Sequence, residues 1–497
     1  MSLRRYRFGP LEQRSVVGPL RIGQVLIVAG GAIFGLLALY STRSVAGVVV
    51  GLLALAAAVA AICVPVGGRT PEEWAPVVLR WAQRRRRAES GFRSLSPEAG
   101  ARLGLEGEAQ SELSLPPALE GLAMLEIPYG SAEVGVIEDR KLGTFTTAMA
   151  VRATSFALRD AGEQEGALEA WGDVIASCAR DGSPVRRLQW IEQTLPGQGD
   201  ALAAHFQSQR DRTVPFDSDL VRSYVELVES AAPQTMEHEI LLALQIDQRR
   251  GARELRRLGG GREGACALLL REAEGLAERL AVAEVEVSGL LRPRQYAAVI
   301  RDSFDPFGRQ ARARSTLGQE GREGVDPALM GPAADETSWS SYRTDSAVHA
   351  TYWISSWPRS DVGPMFMAPL LMQTSALRTV AVTMEPVPYS VAMRRAEAAQ
   401  TAEIAEEINR NRQGFASTAR IRRRQQAASR REEELADGHA EVRCAGWVRA
   451  SARPEEFEQT KSSVEHGAQL ARLGLQLAYG EQDTAFANTL PICWGLR

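Results

Sequence analysis

The sequence lacks the motifs that mark most nucleotide-hydrolysing and nucleophilic enzymes. It contains only two lysines, Lys141 and Lys461, and neither follows a glycine, so no GxxxxGK[ST] phosphate-binding loop is present. There is no GxSxG nucleophile elbow either. The glycine run at 259–261 falls between two predicted helices and does not follow a strand, as a dinucleotide-binding loop does. We therefore interpret this run as a flexible turn.

Metal-binding and disulfide patterns are also lacking. The five cysteines form no CxxC pair, and the five histidines have neither HxxxH nor HExxH spacing. Acidic pairs occur on helices that we predict to be exposed, which is a poor setting for general acid–base catalysis. The sequence therefore predicts no disulfide framework, no metal, no cofactor and no enzymatic activity.

Neither sign of charge is in excess. The 58 basic and 61 acidic residues nearly cancel, and the formal net charge is −3. No global field therefore recruits nucleic acid or an acidic substrate. We expect no direct sequence-specific binding of nucleic acid.

Two long apolar runs, residues 22–40 and 45–66, lie near the amino terminus. Each is close to the roughly 20 residues that a membrane-spanning helix needs. Arginines are frequent outside the pair, while the short linker between the runs has Arg43 alone. This pattern predicts a transmembrane hairpin over residues 21–66, in the inner membrane, with both termini in the cytosol. The alternative is a buried hairpin of a soluble protein.

An amphipathic helix is predicted over residues 67–88, with Thr70 as its cap and Pro71 at its first position. Trp74, Val77, Val78 and Trp81 share one face, and arginines lie on the other. We expect this helix to lie along anionic lipid headgroups, and nucleic-acid binding is the alternative. The predicted membrane-interface residues are Arg21, Arg69, Trp74, Trp81, Arg84, Arg85, Arg86 and Arg87.

Composition shifts divide the chain into seven parts. They are a cytosolic tail (1–20), the transmembrane hairpin (21–66), the amphipathic helix (67–88), a linker rich in Ser, Gly, Glu and Pro (89–118), a first α+β domain (119–304), a connecting loop (305–345) and a second α+β domain (346–497). The predicted fold class is thus a two-helix transmembrane hairpin plus an α+β cytosolic region.

Strand-like and helical runs alternate in both α+β parts. The second part reads as strand 349–357, helix 362–374, strand 377–385, long helix 390–437, strand 440–451, helix 454–473 and strand 474–477. Strands 185–194 and 377–385 resemble each other, which is consistent with two ferredoxin-like split βαβ units made by duplication. Independent βαβ units remain the alternative. The long helix is either a projecting arm that could dock a partner or a set of exposed outer helices.

Trp339, Trp353 and Trp357, with Tyr342 and Tyr352, form the densest aromatic group. Alternating positions such as Tyr352 and Ile354 favour a strand core, and a partner surface is the alternative.

Three features of the amino-terminal part occur together: the opening Tyr6 to Glu12, the apolar hairpin and Gly68 to Pro76. With these features the amino-terminal part resembles an actinobacterial family of PrgI-like membrane proteins of conjugation-type, type IV-like secretion loci. The carboxyl half contains Tyr352-Trp353-Ile354, Glu385-Pro386-Val387 and Leu490 to Leu496, and through them it resembles the amino-terminal domain of conjugative secretion ATPases.

This resemblance implies a structural secretion subunit that docks a separate cytosolic P-loop ATPase. It also implies contacts with other secretion-channel membrane subunits and assembly as a homo-oligomer. No catalytic residue is carried over from either family. One alternative is an EccE-like component of a type VII secretion system, and another is a membrane enzyme or sensor whose site has no sequence motif.

Overall fold

The computed structural model describes residues 22–42, 44–63, 69–86, 90–95, 108–153, 156–197, 214–215, 218–231, 236–316, 324–372, 376–412 and 429–496. The strands are β1 (Gly91–Arg93), β2 (Leu122–Tyr129), β3 (Ala132–Asp139), β4 (Thr144–Ala153), β5 (Val185–Pro196), β6 (Met236–Asp247), β7 (Val285–Leu290), β8 (Ala334–Thr337), β9 (Tyr342–Thr344), β10 (Val348–Ser356), β11 (Leu377–Pro386), β12 (Val442–Ala452) and β13 (Gly474–Leu477).

The helices precede, connect and cover these strands. They are α1 (Ile22–Thr42), α2 (Val45–Cys63), α3 (Pro71–Arg86), α4 (Glu108–Leu113), α5 (Ala161–Cys178), α6 (Asp219–Ala231), α7 (Ala252–Arg257), α8 (Gly261–Val282), α9 (Pro293–Phe304), α10 (Arg309–Thr316), α11 (Ala368–Leu371), α12 (Tyr389–Arg412), α13 (Phe457–Leu470) and α14 (Gln482–Ala487).

All described strands belong to one sheet of 13 strands, in the order β1-β8-β9-β10-β12-β11-β5-β6-β4-β3-β2, with β13 paired to β10 and β7 paired to β4. Every pairing is antiparallel. In the first half, β6 lies between β4 and β5, which gives the order β7-β4-β6-β5. This is a ferredoxin-like split βαβ arrangement.

The second half repeats that topology. Its order is β13-β10-β12-β11, and each half is preceded by an outer hairpin, β2–β3 in the first and β8–β9 in the second. The halves meet where β5 pairs antiparallel with β11, with Trp190 opposite Val382. Each half thus has the strand order of a split βαβ unit. The predicted connection over 305–345 contains α10, β8 and β9, so one sheet runs through both halves.

Helices cover both faces of the sheet. On one face, α8 packs Leu268, Leu269 and Leu276 against Leu188 and Leu244 of the first half. On the same face, α13 and α11 cover the equivalent strands of the second half. The opposite face is covered by α9, by α14 and by residues 488–496. Burial of these aliphatic side chains stabilises the layers by roughly 25 cal/mol per Å² of apolar surface.

The two amino-terminal apolar runs form helices α1 and α2, which pack closely where Gly35 meets Gly51. A Cβ atom on Gly35 would lie 3.2 Å from the Gly51 Cα atom, so the close crossing depends on small residues. In the part of the chain that the structure describes, no helix combines the length and the apolarity that crossing a membrane requires. This finding contradicts the transmembrane hairpin and the inner-membrane localisation that the sequence predicts. The fold class is corrected accordingly to a helical hairpin followed by an α+β region that is built on one large antiparallel sheet.

Candidate functional site

Helix α3 begins where the sequence predicts. Pro71 occupies its first position, and the Thr70 N–H donates a hydrogen bond of 3.0 Å to Glu73 Oε2. This contact is one half of a capping box, and it satisfies a backbone donor that the helix itself cannot pair. The start of α3 is therefore fixed by local sequence, which sets the direction of the side chains that follow.

Helix α3 lies on a surface that we call the α3 seat, formed by Trp339, Tyr479, Gly480, Glu481 and Asp483. Trp339 lies between β8 and β9, and the other four residues follow β13. Two loops of the second half, brought together because β9 and β13 both pair with β10, thus build the seat.

The centre of the α3 seat is aromatic. The Trp339 ring stacks on Trp74 with centroids 5.8 Å apart at 25°, and it meets Trp81 edge-on at 5.1 Å and 78°. Tyr479 continues the stack at 6.3 Å from Trp339. Such ring pairs contribute about 0.5–1.5 kcal/mol each beyond their buried area. Between the two tryptophans of α3, Val77 is only 3% exposed and fills the remaining space.

Gly480 permits this close approach. Its φ of +70° favours glycine, and its N–H donates to the Trp339 carbonyl at 2.7 Å. A Cβ atom at this position would lie 2.6 Å from the Trp339 ring and 3.0 Å from Val77. Only glycine meets both requirements without movement of α3.

The rim of the α3 seat is electrostatic. Glu481 pairs with Arg80 at 3.0 Å and with Arg69 at 3.4 Å, and Asp483 pairs with Arg84 at 2.6 Å. The two carboxylate side chains are 12% and 11% exposed, whereas the arginines are 18–56% exposed. Each pair is worth about 1 kcal/mol or less at such partly exposed positions. Together they fix the rotation of α3 on the seat.

A third carboxyl group, Asp335 on β8, lies behind the rim. Burial raises its pKa to about 6, the carboxylate of Asp483 acts in the same direction, and a hydrogen bond from Tyr342 at 2.7 Å opposes both. Removal from water penalises the charged form of an acid, which is the main cause here. The acidic side of the seat therefore contains one group that titrates near neutrality.

Four of the predicted membrane-interface residues contact the α3 seat, namely Arg69, Trp74, Trp81 and Arg84. The Arg85 guanidinium lies 5.2 Å from the Trp81 ring centre, and Arg86 is exposed at the end of α3. Arg21 and Arg87 lie outside the described residues. Contact of this helix with lipid stays a prediction.

Sequence reasoning missed the acidic half of the seat. The available signal was the order Tyr-Gly-Glu-x-Asp directly after a predicted strand, with charge opposite to that of α3. Among the predicted aromatic group, Trp339 is part of the seat, while Tyr342 and Tyr352 are 1% and 3% exposed. The strand-core prediction is confirmed for Tyr352, whereas Tyr342, which the sequence places in the connecting loop, is buried on β9.

A second charged cluster, which we call the charged junction, joins α10 to β6 and α9 of the first half. Arg309 is 8% exposed and contacts Glu237 at 3.0 Å, Asp302 at 3.1 Å and also Glu239. Arg312 contacts Asp302 at 2.7 Å. Burial raises the pKa of Asp302, although Arg312 and Arg309 act against that rise. The charges of the junction are satisfied mainly by one another, as buried ions require.

A third polar feature is the recognition of residues 488–496 by the sheet. Side chains of β5, β6, β11, β12 and α9 bond to main-chain atoms of this segment. The donors are Arg187 to Cys493 O at 3.2 Å and to Leu496 O at 2.9 Å, Gln189 to Asn488 O at 2.9 Å, Gln245 to Ile492 O at 3.2 Å, Thr383 to Trp494 O at 2.6 Å, Trp447 to Gly495 O at 3.3 Å, and Tyr296 to Pro491 O. The segment therefore bridges both halves of the sheet.

Arg449 lies beneath the same segment. It donates to Thr379 at 2.8 Å and to Thr489 at 3.0 Å, and its guanidinium carbon lies 4.5 Å from the Phe486 ring centre. Burial lowers its pKa to about 9. The planar guanidinium thus contacts β11, the Phe486 ring and the 488–496 segment at the same time. A lysine ammonium has no planar fork of donors and does not reproduce this set of contacts.

Within the described ranges, no group of three His, Cys, Asp or Glu side chains is placed to hold a metal ion. The described contacts converge on two surfaces that join parts of the chain, namely the α3 seat and the 488–496 segment, and on one charged cluster that joins α10 to the first half.

Comparison with known proteins gives one family match. Residues 234–354 match the family described as "Putative type VII ESX secretion system translocon, EccE". No curated protein matches the chain. The matched stretch begins at β6 and ends in β10, so it contains the whole charged junction. It supports the secretion-system part of the sequence resemblance and not its PrgI-like, conjugation-type part, so this region of the chain is similar to a secretion-system family.

Proposed function

We propose that the chain is a non-enzymatic, structural subunit of a type VII-like secretion apparatus. The observation that carries this proposal is the match of residues 234–354 to the EccE family. That family is described as part of a type VII ESX translocon. The EccE-like alternative is thereby favoured over the conjugation-type interpretation.

The chemistry of the matched region supports a structural role. Its buried charges are paired with each other: Arg309 contacts Glu237 and Asp302, and Arg312 contacts Asp302. Removing one partner of such a pair is strongly destabilising, because it leaves an uncompensated buried charge. We assign the charged junction the task of holding α10, the start of the connection between the halves, against β6 and α9.

The proposed partners are other subunits of the same apparatus, further copies of this chain, and a separate P-loop ATPase. The ATPase rests on the resemblance of the carboxyl half to the amino-terminal domain of conjugative secretion ATPases. Helices α6 and α12 are inserted at equivalent places, between β5 and β6 and between β11 and β12. They offer surfaces outside the sheet for such contacts.

The identity of the co-purifying chains tests this function. The full chain is tagged, crosslinked in cells at low crosslinker concentration and captured, and the captured chains are identified by mass spectrometry. We expect type VII secretion subunits, including their ATPase, to be enriched over a mock capture. Enrichment of a conjugation-type ATPase instead, or of no secretion subunit, contradicts the proposal.

A secretion assay with matched variants tests the structural role. Arg309→Ala removes the centre of the charged junction, so we expect loss of substrate secretion and of partner capture. Arg271→Ala is the control, because Arg271 is 50% exposed, pairs with Glu254 and Glu272, and lies outside the charged junction and outside α6 and α12. Both variants must show the wild-type far-UV circular dichroism spectrum. Normal secretion by a folded Arg309→Ala chain would contradict the role.

Ligand-dependent thermal stabilisation separates this function from the enzyme or sensor alternative. A ligand that binds only the folded state raises the melting temperature by mass action. We expect nucleotides, metal ions and small metabolites to leave the melting temperature of the purified chain unchanged. A saturable increase with one of them would favour the sensor instead.

A further inference from the structure

The contacts of α3 divide into a small aromatic centre and a charged rim. A core helix is instead held mainly by many buried aliphatic side chains. Of the face that the sequence predicts to be apolar, Val77 is 3% exposed, but Val78 is 46% exposed, and its neighbour Leu79 is 61% exposed. Helix α3 therefore buries one narrow stripe. The helices α8 and α9, in contrast, each bury many aliphatic side chains against the sheet.

The polypeptide chain gives α3 little further attachment to the sheet. After α3, the next described contact with the sheet is β1, whose three residues pair with β8. Before α3, the described chain contains the hairpin of α1 and α2, which pack on each other. The α3 seat is thus the principal described connection between the amino-terminal helices and the sheet.

The rim is asymmetric in a way that makes the connection sensitive to its surroundings. Two of the three cations are on α3 and the third, Arg69, lies just before it, while both anions are on the seat, with Asp335 adding to the acidic side. Attraction between partly exposed charges is screened by salt, with a Debye length of about 10 Å at 0.1 M and about 3 Å at 1 M. The aromatic centre is not screened in this way. Salt therefore weakens the charged rim of the α3 seat but leaves its aromatic centre unchanged.

We infer that the α3 seat is a reversible electrostatic latch, from which α3 is released and to which it returns while the sheet stays folded. In the closed state, shown by this structure, α3 is held against the second half. In the open state, the latch exposes a basic, tryptophan-containing helix face and an acidic, aromatic seat. Through the latch, a partner that binds the amino-terminal helices would change the accessibility of the α3 seat. A partner that binds the seat would likewise release α3.

Local opening without global unfolding has a measurable signature. A 16-residue helix that has lost its tertiary contacts is marginal in water, so its amides exchange rapidly with solvent. Hydrogen exchange of the full chain, followed by mass spectrometry, reports α3 and β11 in one experiment. We expect the α3 amides of residues 75–86 to exchange at least tenfold faster than those of β11. Raising NaCl from 0.1 to 1 M should increase α3 exchange several-fold further and leave β11 unchanged.

Variants assign this behaviour to the rim. In the double variant Glu481→Gln and Asp483→Asn, we expect α3 exchange to rise about tenfold and its salt dependence to disappear. The matched control is Glu458→Gln, which removes an exposed carboxylate that pairs with Lys461 on α13. The control should leave α3 exchange at the wild-type rate.

A charge exchange keeps the test independent of folding defects. Asp483→Arg alone and Arg84→Asp alone should each speed α3 exchange, whereas the combined variant restores the pair with reversed polarity and should return most of the protection. Failure of the combined variant to restore protection overturns the latch. So does exchange of α3 in step with β11 at every salt concentration, because α3 would then open only when the whole sheet unfolds.

Discussion

At the scale of single residues, Gly480 is the position where local backbone and tertiary packing most clearly demand the same residue. Its positive φ favours glycine, and the Trp339 ring lies where a Cβ atom would be. Neither demand is visible in the sequence, where Gly480 is one of 44 glycines. Its importance appears only once the loop after β13 is placed beside the turn between β8 and β9.

Substitution of Gly480 by alanine should therefore weaken the α3 seat. We expect Gly480→Ala to destabilise docking by about 1–3 kcal/mol, through left-handed backbone strain and overpacking against Trp339. Hydrogen exchange of α3 measures the effect. Gly363→Ala is the control, because Gly363 has no positive φ and its added Cβ would meet no atom within 4 Å. Equal exchange rates in the two variants would refute this account of Gly480.

Asp335 predicts a pH dependence. Its folded-state pKa is raised to about 6, so the folded state binds the proton more tightly than the unfolded chain does. Stability is therefore highest when Asp335 is protonated, and this contribution is lost as the pH rises from about 4 to above 6. Asp335→Asn, which keeps an oxygen acceptor for Tyr342, should remove that loss. Denaturant titrations at pH 5 and pH 8 measure the free energy of unfolding of both proteins. If the difference between pH 5 and pH 8 were the same in the variant as in the wild type, the assignment to Asp335 would be contradicted.

At the scale of elements, the 488–496 segment is held through its main chain. Gln189 both donates to the Asn488 carbonyl and accepts from the Cys493 N–H at 2.7 Å. Two buried backbone groups thus depend on one side chain. A buried donor or acceptor left unpaired costs about 1–3 kcal/mol.

Gln189→Leu should consequently destabilise the fold by about 2–4 kcal/mol and make Cys493, which is fully buried, more reactive to alkylation. Gln193→Leu is the matched control on the same strand and the same face, because Gln193 bonds to the Glu239 side chain and not to the segment. Urea titration and peptide-level thiol labelling report the two effects. If both variants labelled Cys493 equally fast, main-chain recognition by Gln189 would be wrong.

The sequence predicted most elements of the second half because their patterns are local. The predicted strand 377–385 and the predicted final strand 474–477 coincide closely with β11 and β13. The predicted helix 362–374 is reduced to α11, of four residues, since Pro364 and Gly363 precede it and few of its positions face the sheet. The predicted helix near 200–210 lies outside the described residues.

The candidate site was only half predictable for a physical reason. Helix α3 is specified by Thr70, Pro71 and a periodic apolar face, all within one short window. The acidic half is about 400 positions away, and the pair Arg84–Asp483 has a separation of 399 residues. A single sequence carries no local signal for such a pairing. The exposed arginines consequently suggested an external anionic partner, whereas three of them meet carboxylates of the same chain.

At the scale of the whole molecule, the two halves should unfold together. The β5–β11 pairing and the 488–496 segment both join them. We expect hydrogen exchange in urea to give the same midpoint for β4 and β10, which are equivalent strands of the two halves. Leu269→Ala changes only the core of the first half and should lower the free energy of unfolding by about 2–5 kcal/mol. Both urea midpoints should therefore fall equally. Separate midpoints would show that the halves are independent.

The antiparallel pairing of β5 with β11 determines where the insertions that contain α6 and α12 leave the sheet. Helix α6 follows β5 and helix α12 follows β11, so these two outgrowths leave from opposite ends of the central strands. A strand of 12 residues, such as β5, is about 40 Å long. The two insertions therefore begin at opposite ends of the paired central strands, roughly the length of one strand apart.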